Sequence, residues 1–178
     1  GQCRQRFTGA VDVALRRATW LRFLGRAKTD IVRQMSLYDL GVALKNAERY
    51  HEAAPMYMEL IEVVKRQYGS RYPFTLDCEE RLAVLMQAHK CPNVKLQACQ
   101  DLERIYGTKL DELGRDDPST LMCAGHYAQA LHSWGHFARA ERIYKETIAV
   151  LTKEYGSTDF AVLEANADLI TVLRDQGK

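Results

Sequence analysis

A bulky residue followed by glycine recurs along the 178-residue sequence at Leu24-Gly25, Tyr68-Gly69, Leu113-Gly114 and Tyr155-Gly156, with the glycines 44, 45 and 42 residues apart. Recurrence at such a period marks an array of similar units, each needing its neighbours to bury its apolar face. Glycine at the end of a helical run takes a left-handed backbone at no steric cost. Proline follows four residues later as Pro73 and Pro118, and keeps the helix from resuming. Only 4 prolines and 11 glycines punctuate the chain, which favours long helices over many short strands.

Two helix-period segments lie between successive stops. LDCEERLAVLM from Leu76 and LMCAGHYAQAL from Leu121 agree in residue character at their first, third, eighth and eleventh positions. A small residue fills the eighth position as Gly41, Ala83 and Ala128, and a second recurs at Ala53, Ala98 and Ala140, after gaps of 12, 15 and 12. Unit two therefore holds three extra residues, which the turn formers of Lys90-Cys91-Pro92-Asn93 are expected to carry as a loop. Without them the period is 42. Small residues at fixed places let crossing helices approach, and an aromatic from the neighbour fills the space. Tyr57 and Tyr144 stand one turn after Ala53 and Ala140, on the same face, while Leu102 takes that place in unit two.

The pattern predicts an all-α chain of eight helices in stacked antiparallel pairs, a single array over residues 1–178. Residues 7–25 read as the second helix of a preceding repeat, with repeats at 34–69, 76–114 (insertion near 90–93) and 121–156, and a further first helix at 163–178. So read, the chain is a slice of a longer protein. Pro55 is tolerable near a helix start if that helix begins about His51 or Glu52.

These residues resemble the tetratricopeptide repeats (TPR), in the long-period form of kinesin light chains. The likeness rests on Leu37-x-x-Leu40-Gly41-x-x-Leu44 with Tyr50-x-x-Ala53, and on Gly135-x-Phe137-x-x-Ala140-x-x-x-Tyr144. Glu112-Leu113-Gly114-Arg115-Asp116-Asp117-Pro118 is similar to that family's acidic linker, and Leu163-x-x-Asn166-x-x-Leu169 to its first helix. The resemblance implies a TPR-type α-solenoid wound as a right-handed superhelix, with a non-catalytic role in binding extended peptides in a concave groove. It further implies an adaptor or scaffold acting in the cytoplasm, at the cytoskeleton.

The chemistry-bearing motifs are sparse. There is no phosphate-binding glycine loop, no GxSxG and no CxxC pair. His51-Glu52-Ala53-Ala54-Pro55 lacks the second histidine of a metalloprotease helix, and His136 falls in a turn beside His132. His89, Cys91 and Cys99 lack a fourth ligand. Trp134 and Phe137 read as packing residues. The expectation is no enzyme, no cofactor and no metal. Five cysteines, an odd number, point to free thiols and a reducing, cytoplasmic compartment. Charge interrupts every apolar stretch, so no membrane span is expected.

The first helices supply the candidate groove. Its core face uses the fourth, seventh, eighth and eleventh positions, leaving Met35, Tyr38, Asp39, Val42 and Lys45 in unit one, and Asp77, Glu80, Arg81, Val84 and Gln87 in unit two. Unit three offers Met122, Gly125, His126, Gln129 and His132, and the last half-unit Glu164, Ala167, Asp168, Thr171 and Arg174. Where the resembled family often carries asparagine pairs, this sequence has Tyr38-Asp39, Glu80-Arg81, Gly125-His126 and Ala167-Asp168, so a preference for strongly acidic peptides is not expected.

The net charge of +2 hides a segregation: residues 1–33 carry eight basic groups against Asp12 and Asp30, and the remainder is acidic. Arg16, Arg17 and Arg22 therefore form a candidate secondary surface for an acidic partner. Two functions remain open. One is a peptide-binding module with a protein partner, such as a motor or cytoskeletal component. The other is a structural scaffold subunit contacting neighbours through its edges and basic N-terminal helix. Nucleic-acid partners are not expected. Weak self-association through Leu169 and Leu173 is expected if the second helix that would cover them is missing.

Overall fold

The computed structural model describes the backbone of residues 2–177 and the side chains of residues 10–177, so the side chains of Cys3, Arg4, Arg6 and Phe7 lie outside the described residues. Eight α-helices and no β-strand are present among them: α1 Gln2–Phe23, α2 Ile31–Asn46, α3 Tyr50–Tyr68, α4 Pro73–Gln87, α5 Pro92–Leu113, α6 Pro118–Ser133, α7 Phe137–Tyr155 and α8 Phe160–Asp175. They form two compact units, residues 1–90 and 91–178. In the first, α1 packs on α2, α2 on α3 and α3 on α4. In the second, α5 packs on α6, α6 on α7 and α7 on α8, and α6 also meets α8.

Local chemistry sets the helix starts. Asp30 caps α2 by accepting from the amides of Val32 (2.9 Å) and Arg33 (3.2 Å). Asp117 caps α6 through Ser119 (2.8 Å), and Asp159 caps α8 through Ala161 (2.9 Å). Each satisfies helix-end amides that have no intrahelical partner. Pro73, Pro92 and Pro118 open α4, α5 and α6, where a missing N–H costs nothing.

Gly69, Gly114 and Gly156 end α3, α5 and α7 with φ of 93°, 87° and 88°. Gly25 departs from this pattern: α1 stops at Phe23, and Gly25 is not among the glycines with positive φ. A second left-handed position recurs in the turn inside a pair, at Glu48 (φ 60°) and Gly135 (φ 75°).

Two sequence expectations shift. Pro92 and Asn93 do not lie in a loop: they begin α5, which runs 22 residues where α3 and α7 run 19. Proline at the first helical position lets the insertion wind on as almost one more turn. Helix α3 begins at Tyr50, so Pro55 sits inside it on an exposed face and leaves the His51 carbonyl without its usual i+4 amide.

The small-residue crossings are present. A Cβ built on Gly41 of α2 would lie 2.7 Å from Cζ of Tyr57 on α3. Ala53, Ala98, Ala128 and Ala140 are fully buried, as are Tyr57, Tyr144 and Leu102 to within 2%. In the first unit Leu37, Leu40, Leu44, Leu60, Val64 and Leu85 share one apolar core with Tyr57. Cys78 and Cys123 are buried free thiols at the third position of their respective segments, and burial raises the Cys78 pKa, with Asp77 and Glu79 adding to it.

Candidate functional site

In the first unit the candidate face is built on α2 and α4. Arg81 Nε on α4 donates to Tyr38 Oη on α2 at 3.1 Å. The Tyr38 ring stands edge-on to Tyr57 (centroids 5.8 Å, 82°) and tilts against Phe74 (5.6 Å). Burial raises the Tyr38 pKa even though the Arg81 bond and charge act to lower it. Tyr38, Asp39, Val42, Lys45, Arg81, Val84 and Gln87 are all half-buried, and Met35 is exposed.

Asp39 is not a free acid, because Arg16 of α1 reaches it at 3.0 Å. Glu80, read from sequence as facing a groove, is instead 1% exposed. It lies four residues after Leu76 and three before Ala83, both buried, so the helical period puts it on their face.

The second unit contributes α6 and α8. Gln129 and Arg174 are exposed, and His126, His132, Asp168 and Thr171 are half-buried. His132 Nε2 and Asp175 Oδ2 are 2.8 Å apart, joining α6 to α8. That bond, then Arg174, holds the Asp175 carboxyl below its ordinary range. Asp168 accepts from Tyr144 Oη at 3.3 Å, and Thr171 returns its hydroxyl to the Ala167 carbonyl at 3.1 Å.

The basic residues of α1 largely serve their neighbours. Arg16 meets Asp12 (3.5 Å) as well as Asp39, and Arg17 donates to Glu52 at 2.9 Å. Glu52 is held below the usual carboxylate range by Arg49 first and Arg17 second. Arg22 remains exposed, its guanidinium 6.0 Å from the Phe23 ring centroid.

One cluster escaped the sequence reading. Arg139 of α7 donates through Nη2 to Glu103 of α5 and to Tyr127 Oη of α6, each at 2.6 Å. The available signal was Tyr127 itself, a phenol where the other first helices carry Leu40, Leu82 and Leu169. Among the described residues no three His, Cys, Asp or Glu side chains are grouped to hold a metal ion, and no helix is long and apolar enough to cross a membrane.

No protein-family profile matches this sequence, and no curated protein does. Solved structures do. A single-substitution variant of a Podosopora anserina protein, provisionally described as a kinesin light chain with nearly identical TPR-like repeats, superposes with a TM-score of 0.74 at 19% identity, over 98% of this chain and 82% of that one. The same protein without that substitution gives 0.72 at 20% identity, again over 98% and 82%. BtubC (BKLC) from P. vanneervenii gives 0.67 at 14% identity, over 97% of this chain and 66% of that one. The chain has the all-helical TPR-like repeat fold of kinesin-light-chain-type structures.

Proposed function

We propose that the chain is a protein-interaction module without catalytic chemistry, whose first helices hold an extended peptide segment of a partner. The observation that carries this is the Arg81–Tyr38 bond. It ties α2 to α4, while Met35, Val42, Lys45, Val84 and Gln87 keep part of their surface in solvent. Apolar peptide side chains would rest on Met35, Val42 and Val84, with amides and carbonyls meeting Gln87. Gln129, His126, Thr171 and Arg174 offer a second set of polar groups on α6 and α8.

With Asp39 neutralised by Arg16, and Asp175 bonded to His132, the faces carry mixed charge. A peptide of mixed polarity fits them better than a strongly acidic one. A nucleic acid fits poorly, since Tyr38 and Tyr127 are engaged in packing rather than presented as stacking platforms. The kinesin-light-chain description of the similar structures makes a motor or cytoskeletal component the partner class to try first. The buried free thiols Cys78, Cys99 and Cys123 suit a reducing cytoplasm.

Peptides selected from a random display library against the chain test the reading. Lys45→Ala with Gln129→Ala should weaken the selected peptides by about tenfold or more, a loss typical of contact residues, without moving the thermal midpoint. Peptides that still bind this variant, but are lost when the exposed Arg22 is neutralised, favour the scaffold alternative; Arg16 and Arg17 are left intact because they pair with Asp39 and Glu52.

A further inference from the structure

A small cavity opens in the second unit where α5, α6 and α7 meet, and it shares no residue with the candidate face. Tyr106 of α5, Arg115 of the following turn, Leu121 and Ala124 of α6, and Glu146 and Thr147 of α7 line it. The space inside is about 10 Å³, room for about one oxygen-sized group.

An ion pair spans the mouth, Arg115 Nη1 reaching Glu146 Oε2 at 2.8 Å, with both side chains partly in solvent. The same arrangement recurs in the first unit. Lys28, Leu37, Glu59 and Leu60 stand 87 residues before Arg115, Ala124, Glu146 and Thr147. They too line a cavity, and Lys28 Nζ meets Glu59 Oε1 at 2.8 Å. The ion pair is therefore common to both units, and the two cavities differ in what lies behind it.

In the second unit that lining is rich in donors. Thr147 is 5% exposed, and its hydroxyl has no hydrogen-bond partner among the described residues. A buried hydroxyl in that state has lost its hydration without return, and a ligand oxygen would restore the bond. The half-buried Tyr106 hydroxyl is unpartnered in the same way. Arg115 spends Nη1 on Glu146 and keeps Nε and Nη2. Arg142 of α7, whose charge also bears on the Tyr106 phenol, is exposed and in no ion pair among the described residues. Glu146 is already engaged, so the two guanidinium groups leave one positive charge in excess. The first-unit cavity is lined differently. Leu60 stands where the second unit has Thr147, and Gln34 stands where it has Leu121, burying an acceptor, Oε1, without a partner.

We infer that the second-unit cavity receives a side-chain carboxylate of a protein partner. One carboxylate oxygen enters and accepts from the Thr147 and Tyr106 hydroxyls. The other stays at the mouth against the remaining N–H groups of Arg115, with Arg142 adding charge. A guanidinium fork beside neutral donors suits a planar group with two accepting oxygens. A phosphate is too bulky for a space of one oxygen, an ammonium would add donors to donors, and a neutral amide would leave the excess charge unmatched.

Methyl and backbone NMR of the intact chain, titrated with acetyl-Ala-Asp-Ala-amide to about 50 mM, tests this, because a single anchor binds in the millimolar range. Signals of Thr147, Val150 and Arg115 should shift and saturate, whereas acetyl-Ala-Asn-Ala-amide should leave them in place. Leu60 and Val63 of the first-unit cavity should stay silent. Thr147→Val keeps the shape and removes only the hydroxyl. It should weaken the aspartyl peptide about tenfold without lowering the thermal midpoint, since no partner is left behind. Arg115→Gln should abolish saturation with unchanged circular dichroism, because Arg115 is exposed. An aspartyl peptide that leaves Thr147 unshifted overturns the inference, as does an asparaginyl peptide that binds equally well. An equal response at Leu60 and Val63 overturns it too, because the ion pair alone would then be drawing the carboxylate. Inorganic phosphate that saturates the same signals at lower concentration than the aspartyl peptide would reassign the cavity and overturn the carboxylate.

Discussion

The phenol of Tyr57 fills the space that a side chain on Gly41 would need, its Cζ lying 2.7 Å from where a Cβ would stand. The ring is held there by a T-shaped contact with Tyr38, and its hydroxyl is buried without a hydrogen-bond partner. Aromatic and glycine therefore form one packing unit across α2 and α3. Gly41→Val should destabilise the chain by about 2 kcal/mol, the overpacking cost exceeding any helix-propensity gain. Tyr57→Leu in the same chain should recover part of that loss. Urea unfolding of the two single variants and the double gives the coupling, and additive losses would mean that the residues do not share the space.

Glu48 is the non-glycine residue with positive φ among the described residues, and its side chain is exposed. Gly135 and Gly177 hold the left-handed backbone after α6 and α8, as Glu48 does after α2. Glu48→Gly should stabilise by about 0.5–1 kcal/mol, the left-handed strain removed exceeding the added freedom of the unfolded chain. A lower unfolding midpoint would contradict this.

The Arg139 guanidinium beside Glu103, with the Tyr127 hydroxyl contributing after it, holds the Glu103 carboxyl below its ordinary value of 4.5. A depressed folded pKa means that the contribution to stability is complete above that ordinary value. It is lost as pH falls through the depressed one. Arg139→Ala should return the Glu103 titration, followed by carbon NMR, toward 4.5 and flatten this part of the acid limb. An unchanged titration would show that the clamp does not act on the carboxyl.

Arg81 and Gln129 should separate in their effect on stability. Arg81 is half-buried and bonded to Tyr38, so Arg81→Ala should cost about 1–2 kcal/mol by breaking a charge-assisted hydrogen bond. Gln129 is exposed, and Gln129→Ala should leave the thermal midpoint where it was. Calorimetry of the two variants checks this, and a binding defect in Arg81→Ala needs that comparison before it is assigned to the face.

Helix pairing was legible from Gly41, Ala53, Ala128 and Ala140, because close helix crossings need small residues whatever surrounds them. The helix stops were legible at Gly69, Gly114 and Gly156, because a left-handed glycine ends a helix locally, whereas Asp117-Pro118 read as linker and instead caps and opens α6. What sequence could not supply depends on how neighbouring helices are rotated. Arg16 and Arg17 read as a basic surface until α2 and α3 bring Asp39 and Glu52 beside them. Glu80 read as solvent-facing until its alignment with Leu76 and Ala83 put it inside. The Glu103–Arg139–Tyr127 cluster draws on three helices, and no spacing along the chain encodes that meeting.

Cys78 and Cys123 are shut inside the first and second units at 0% exposure, so a thiol reagent reaches either one only after its unit opens. Cys91, half-buried at the residue before α5, is not shut inside a unit, and its alkylation is expected not to wait on opening. The chain thus carries two internal clocks and a reference. Alkylation rates at Cys78 and Cys123, read peptide by peptide, report how often each unit breathes, and whether the two do so in concert or independently.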